Sequence, residues 1–203
     1  MIKVTIDGVT VEYSENNFST FWELWEEIKP KDRVVAELKI NGQKVPVNKI
    51  EELFSAEFEG NEVIEVKTQS INQAALELID EALGYIVKIE AKLPELSDKI
   101  IMGKTNEAMS DLKHVIDGIT ALESMRESIS RIIDIGFLGQ GHNFNRFQES
   151  LEILKKINAS LLEQNFTDLV EILDSGLPKV FEFYKSFLNH AKDELISKRG
   201  ENK

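Results

Sequence analysis

A histidine, an asparagine and an arginine beside clustered glycines are the residues of this 203-residue sequence best placed for chemistry. Gly136-Phe137-Leu138-Gly139-Gln140-Gly141-His142-Asn143 sets three glycines around and ahead of an imidazole and a carboxamide, with Arg146 one helical turn onward. Glycine lets the backbone approach a ligand closely, the imidazole serves as acid, base or ligand, and the guanidinium holds an anion. Gly139, Gly141, His142, Asn143 and Arg146 are therefore the candidate binding residues of a small-molecule or enzyme site in the stretch 136–146. The preferred reading is plainer: a C-cap glycine at 136 followed by a connection between two helices.

Other apparent motifs fail on context. Gly103-Lys104-Thr105 ends like a phosphate-binding loop, but Asp98 stands where that motif needs its first glycine, and no strand precedes it. Asp111, His114 and Asp117 share a helix face, and His190 with Asp193 repeats one of the spacings. Helical di-iron sites use Glu-x-x-His on two helices, and neither histidine has a glutamate three residues before it. The runs Glu23, Glu26, Glu27 and Glu51, Glu52 read as solvated helix faces. With no cysteine there is no thiolate metal site, thiol nucleophile or disulfide. No catalytic residue, metal or cofactor is expected.

The elements around these residues change rhythm near Ser70. Before it, Ile2–Ile6 and Val9–Tyr13 alternate across Asp7-Gly8, and 33–40 and 43–47 flank Asn41-Gly42, two dipeptides suited to tight hairpins. Pro46 marks an edge strand. Thr20-Phe21-Trp22-Glu23 predicts a capping box for a short helix ending at Pro30, and 61–68 supplies a fifth strand. Trp22 and Trp25 sit on a very wide apolar stripe. One of them is expected to face the helical part, with a partner-binding patch as the alternative use of the pair.

This order of elements, with its two hairpins Asp7-Gly8 and Asn41-Gly42, resembles the ubiquitin-like β-grasp superfamily over residues 1–68. The resemblance implies one helix across a mixed sheet whose first and last strands are central, used for binding proteins. Modifier and sulfur-carrier chemistry needs a free terminal Gly-Gly, whereas here the last strand continues into Gln69-Ser70 and a helix.

From Ser70 the apolar residues recur at three- and four-residue steps. They predict a helix from 71 to Pro94, a second over 106–135, a third over 144–162 that 167–173 either continues or follows after a turn, and, past the punctuation of Gly176 and Pro178, a last one with Pro178 in its first turn, running to about 197. The expected fold class is α+β: a β-grasp-like module of five strands and one helix (1–68), an antiparallel bundle of four to five helices (70–198), and a frayed tail (199–203).

Thirty-six acidic against twenty-four basic side chains give a net charge of −12, which repels nucleic acid and anionic membranes. Fourteen acidic and eight basic residues precede position 70, so the first part is the more acidic per residue and suits a basic partner. No stretch matches a membrane span or a secretion signal, and a cytoplasmic location is expected. The expected function is a non-enzymatic interaction or scaffold protein with a basic or helical protein partner and the option of homodimerisation. A narrower alternative is an export or assembly chaperone holding a client helix.

Overall fold

The computed structural model describes residues 1–58, 61–132 and 136–201. It is α+β: a five-stranded sheet with one helix, followed by six helices. The chain divides into two compact units, Met1–Ala75 and Leu76–Lys203.

In the first unit the strands are β1 (Ile2–Ile6), β2 (Val9–Tyr13), β3 (Arg33–Ile40), β4 (Gln43–Val45) and β5 (Val63–Ser70), in the spatial order β2-β1-β5-β3-β4. β1 runs parallel to β5 and the other pairs are antiparallel. First and last strands thus lie side by side in the interior of the sheet. β4 occupies an edge, as expected, but it stops at Val45 rather than 47, because Pro46 has no N–H with which to extend the ladder.

Both expected hairpin turns form, with consecutive left-handed residues at Asp7 and Gly8 (φ 48° and 87°) and at Asn41 and Gly42 (φ 51° and 78°). Their side chains also clamp the central strand. Asp7 Oδ1 accepts from Thr68 N at 2.8 Å and Oδ2 from the Thr68 hydroxyl at 2.6 Å, while Asn41 Oδ1 accepts from Val63 N at 2.9 Å. Each turn therefore fixes one end of β5 as well as its own hairpin.

Helix α1 (Phe21–Ile28) lays Phe21, Leu24, Trp25 and Ile28 on Ile2, Val4, Leu38, Ile64 and Val66, all buried. Strand period two and helix period 3.6 meet in that core. The capping box is only half formed and is displaced by one residue. Glu23 accepts from Ser19 N at 2.6 Å rather than from Thr20, and the Thr20 hydroxyl makes no cap.

Helix α2 (Ile71–Glu90) starts as expected, the Ser70 hydroxyl accepting from Gln73 N at 3.1 Å. It stops before 93. Leu93–Ile101 forms a separate helix α3 with Pro94 in its first turn, where a missing N–H costs nothing, so this proline opens a helix instead of merely ending one. Gly103 (φ 74°) closes α3, with Gly103 N donating to Ile100 O and Lys104 N to Lys99 O. The false phosphate loop is this helix terminus.

Helix α4 (Thr105–Ile132) follows; the predicted continuation over 133–135 lies outside the described residues. Helix α5 (Gly141–Leu162) is followed after a turn by the short α6 (Phe166–Glu171), one of the two expected alternatives; the break expected at Gly176 is absent, while Pro178 does lie in the first turn of the last helix. The chain passes instead through one π-helical turn, Ile172–Gly176, directly into α7 (Leu177–Glu201). Leu177 N reaches back five residues to Ile172 O, so the wider turn takes up the strain that Pro178 imposes and helix continues. Gly176 also lets α5 come close: a Cβ there would lie 3.0 Å from Ile153 Cγ2.

Helix α7 is the axis of the second unit. Val180, Phe181, Phe183, Tyr184, Phe187, Leu188, Ala191 and Leu195 are all buried, which explains why its aromatics spread beyond one stripe. It extends to Glu201, past the 197 expected, and residues 202–203 lie outside the described ones.

Candidate functional site

The glycine-rich stretch is an anchor. Gly136 takes the left-handed conformation (φ 54°), and the next residue, Phe137, is buried with its ring 5.5 Å from Phe187 and 6.1 Å from Phe183. Helix α5 begins at Gly141, which puts His142, Asn143 and Arg146 on its first turns rather than on a loop. Asn143 is buried and its Nδ2 donates to Phe137 O at 3.1 Å and to Gln140 Oε1 at 3.2 Å, securing the turn. Arg146 bonds Ser186 Oγ at 3.2 Å and Glu182 at 3.0 Å, both on α7. His142, Gly139 and Gly141 are exposed.

The two tryptophans differ in role. Trp25 is buried in the core of the first unit, stacked 5.9 Å from Phe21. Trp22 stays 44% exposed, edge-on to Phe54 at 4.6 Å with the Lys29 ammonium 6.0 Å from its ring.

Of the histidine clusters, Asp111 is engaged by Lys99 at 2.6 Å, and among the described residues no three His, Cys, Asp or Glu side chains gather in a way that would hold a metal ion. No described helix is long and apolar enough to cross a membrane.

The more substantial feature is a cleft between α4 and α5. Both helices lie against α7 more closely than against each other. The space between them measures about 400 Å³, walled by Ile116, Ile119, Leu151, Leu154, Ile157 and Leu161, with Tyr184 of α7 reaching it. Thr120, Glu123, Ser124, Glu127 and Asn158 supply the polar lining. Leu151, Leu154, Leu161 and Ile116 are only half-buried, an apolar surface the helices do not bury against one another.

A polar cluster closes one part of this cleft. Arg126 grips Glu123 with two bonds, Nε to Oε2 at 2.9 Å and Nη2 to Oε1 at 2.6 Å, and stacks 5.1 Å from the Phe147 ring. The Tyr184 hydroxyl donates to Glu123 Oε2 at 3.0 Å. Burial pushes the Glu123 carboxyl up, but the Arg126 guanidinium and the Tyr184 hydroxyl together hold it below its ordinary value. Burial first, and the neighbouring Glu123 charge second, push the Tyr184 phenol well above its ordinary value. The cluster is thus Glu⁻–Arg⁺ with a neutral phenol near neutral pH. Its carboxylate is fully engaged, so Glu127, 54% exposed and held among the described residues only by a long 3.9 Å ion pair with the exposed Arg131, is the acidic group of the lining more open to an incoming cation.

Nothing in the local pattern around Glu123 singles it out. A Glu-x-x-Arg pair on a helix reads as a surface ion pair, and only the approach of α7, sixty-one residues later, makes it part of a cleft.

No curated protein and no solved structure matches the chain. A family match does exist, to a domain of unknown function, and it spans residues 77–187, a stretch that contains every residue lining the cleft and leaves the sheet outside. Covering more than half of the sequence, that match places this chain in the DUF8042 family.

Proposed function

We propose that this protein is a non-enzymatic interaction protein whose helical unit receives an amphipathic, basic helix of a partner in the cleft between α4 and α5. The observation that carries the reading is the pair of half-buried apolar walls at helical spacing with Glu127 in the lining. Two separated helices over a third form the geometry in which an added helix inserts its i, i+3/i+4, i+7 anchors. A lysine or arginine on that helix meets Glu127, and the net charge of −12 draws basic segments in. A chaperone that shields a client helix is the narrower form of the same reading.

The strand order β2-β1-β5-β3-β4, with the parallel β1–β5 pair inside, supports reading the first unit as a ubiquitin-like β-grasp module used for protein binding. Its excess of acidic residues suits the same class of basic partner.

The test is titration of a fluorescent amphipathic peptide with leucine at heptad a and d positions and lysine at the flanks, against the intact protein and its Leu154→Glu variant. The expected outcome is saturable binding that Leu154→Glu removes while helicity by circular dichroism stays unchanged. Equal binding to both proteins, no binding, or dimerisation of the free protein through this cleft would overturn the reading.

A further inference from the structure

A second cavity of about 470 Å³ lies between α2, α3 and α4 and differs in chemistry from the cleft. Its apolar floor is Ile89, Leu96 and Val115, all buried. Tyr85 forms a wall, and that wall depends on Gly118. A Cβ at 118 would meet the Tyr85 ring at 2.7 Å (Cε1) and 3.0 Å (Cζ) and the phenol oxygen closer still. The bare backbone of α4 lets the ring lie across it.

Around the mouth stand Lys88, Lys92 and Lys99 with His114, in a protein whose acidic residues outnumber its basic ones. The three lysines are not equivalent. Lys99 is held between Asp111 at 2.6 Å and Glu95 at 2.9 Å, which neutralises it and fixes its place. Lys88, in the last turn of α2, and Lys92, in the turn between α2 and α3, are both exposed and both line this cavity, so their flexible ammonium groups can converge on one anion.

We infer that this cavity binds a small amphiphilic anion, an aromatic or similarly flat apolar body carrying a phosphate group, with the body on Ile89, Leu96 and Tyr85 and the phosphate between Lys88 and Lys92. The aromatic wall and apolar floor give the body its contact, and two ammonium groups without the bidentate geometry of arginine suit a compact, multiply charged head. Glu95 and Asp111, already tied to Lys99, disfavour an anion beside Lys99 and so keep the head at the Lys88–Lys92 side.

The probe is phenyl phosphate, titrated into the intact protein by isothermal calorimetry and by amide shift mapping, with inorganic phosphate and phenol in parallel. Phenyl phosphate is expected to bind with shifts at Tyr85, Ile89 and Lys92, and both fragments alone are expected to bind at least about tenfold more weakly. The double variant Lys88→Gln/Lys92→Gln is expected to weaken phenyl phosphate about tenfold or more, through loss of charge-assisted hydrogen bonds, and to leave phenol unchanged. Gly118→Ala, which displaces the ring without touching a charge, is expected to weaken phenyl phosphate and leave inorganic phosphate unchanged. Equal affinity for phosphate and phenyl phosphate, shifts elsewhere, or indifference to the double variant would overturn the assignment. The peptide test of the α4–α5 cleft is independent of all these outcomes.

Discussion

Helix α1 and the pair α4–α5 use their apolar stripes in opposite ways. Phe21, Leu24, Trp25 and Ile28 are wholly covered by the sheet of their own unit, whereas Leu151, Leu154 and Leu161 face a cleft and remain half-buried. A sheet presents a continuous surface that one helix can cover, but two helices resting on a third leave a gap unless another rod fills it. The difference teaches where to look for binding: the place where the architecture fails to close over its own apolar residues.

Breaking the axis of the helical unit should have the largest effect. Phe183, 1% exposed, contacts Phe137, Phe147 and Tyr184. Phe183→Ala is expected to cost about 3–5 kcal/mol, read as a lower denaturation midpoint. Hydrogen exchange should show the loss in residues 76–201, because the first unit has its own core.

A smaller loss, about 2 kcal/mol, is expected for Glu123→Gln. It strips the charge partner from Arg126, whose side chain is 11% exposed, but the 31% exposure of Glu123 softens the penalty relative to a fully buried pair. The sign with pH is fixed. The folded-state Glu123 value lies below its ordinary 4.5, so its contribution is complete above that pH and is lost as acid protonates the folded carboxylate. Tyr184 works at the other limit. With its folded-state value raised above 10, its contribution is complete below pH 10 and is lost as the pH rises further. Urea midpoints across pH should therefore flatten on the acid side in Glu123→Gln and on the alkaline side in Tyr184→Phe.

In the sheet, Gly42→Ala puts a side chain at φ 78° and is expected to cost about 1–2 kcal/mol, with exchange accelerated in β3 and β4. The smallest stability effect, within about 0.5 kcal/mol, is expected for Asn158→Ala in the cleft lining, where the side chain is exposed. An Asn158→Trp variant sharpens the comparison by filling the cleft with an intramolecular substitute, and it should weaken peptide binding while leaving the midpoint unchanged or raised.

Much of the fold was legible because local patterns recorded it. The positive-φ dipeptides Asp7-Gly8 and Asn41-Gly42 mark turns whatever lies around them, and the shift from period two to period 3.6 at Ser70 marks the change from sheet to helix. Pro94 misled because proline signals a break in hydrogen bonding without saying whether a helix stops or starts, and Gly176 misled because a glycine suited to a break also suits a close approach of helices, whereas Pro178 does lie, as expected, in the first turn of α7. The stretch 136–146 drew attention through its composition, yet Phe137 and Asn143 are structural there, since burial of an anchor beside glycines leaves the same trace as a ligand loop.

The sequence by itself determined the two rhythms, the hairpins, the acidity and the absence of thiol chemistry, because each depends on neighbours a few residues apart or on composition alone. Only the tertiary structure decided that Glu123 and Arg126 would meet Tyr184, that Gly118 would receive the Tyr85 ring, and that α4 and α5 would stand apart on α7. Those facts depend on how rods of similar amphipathicity choose their neighbours, and the spacing of apolar residues along one rod says which face is turned inward but not which partner it meets or how much of that face stays uncovered.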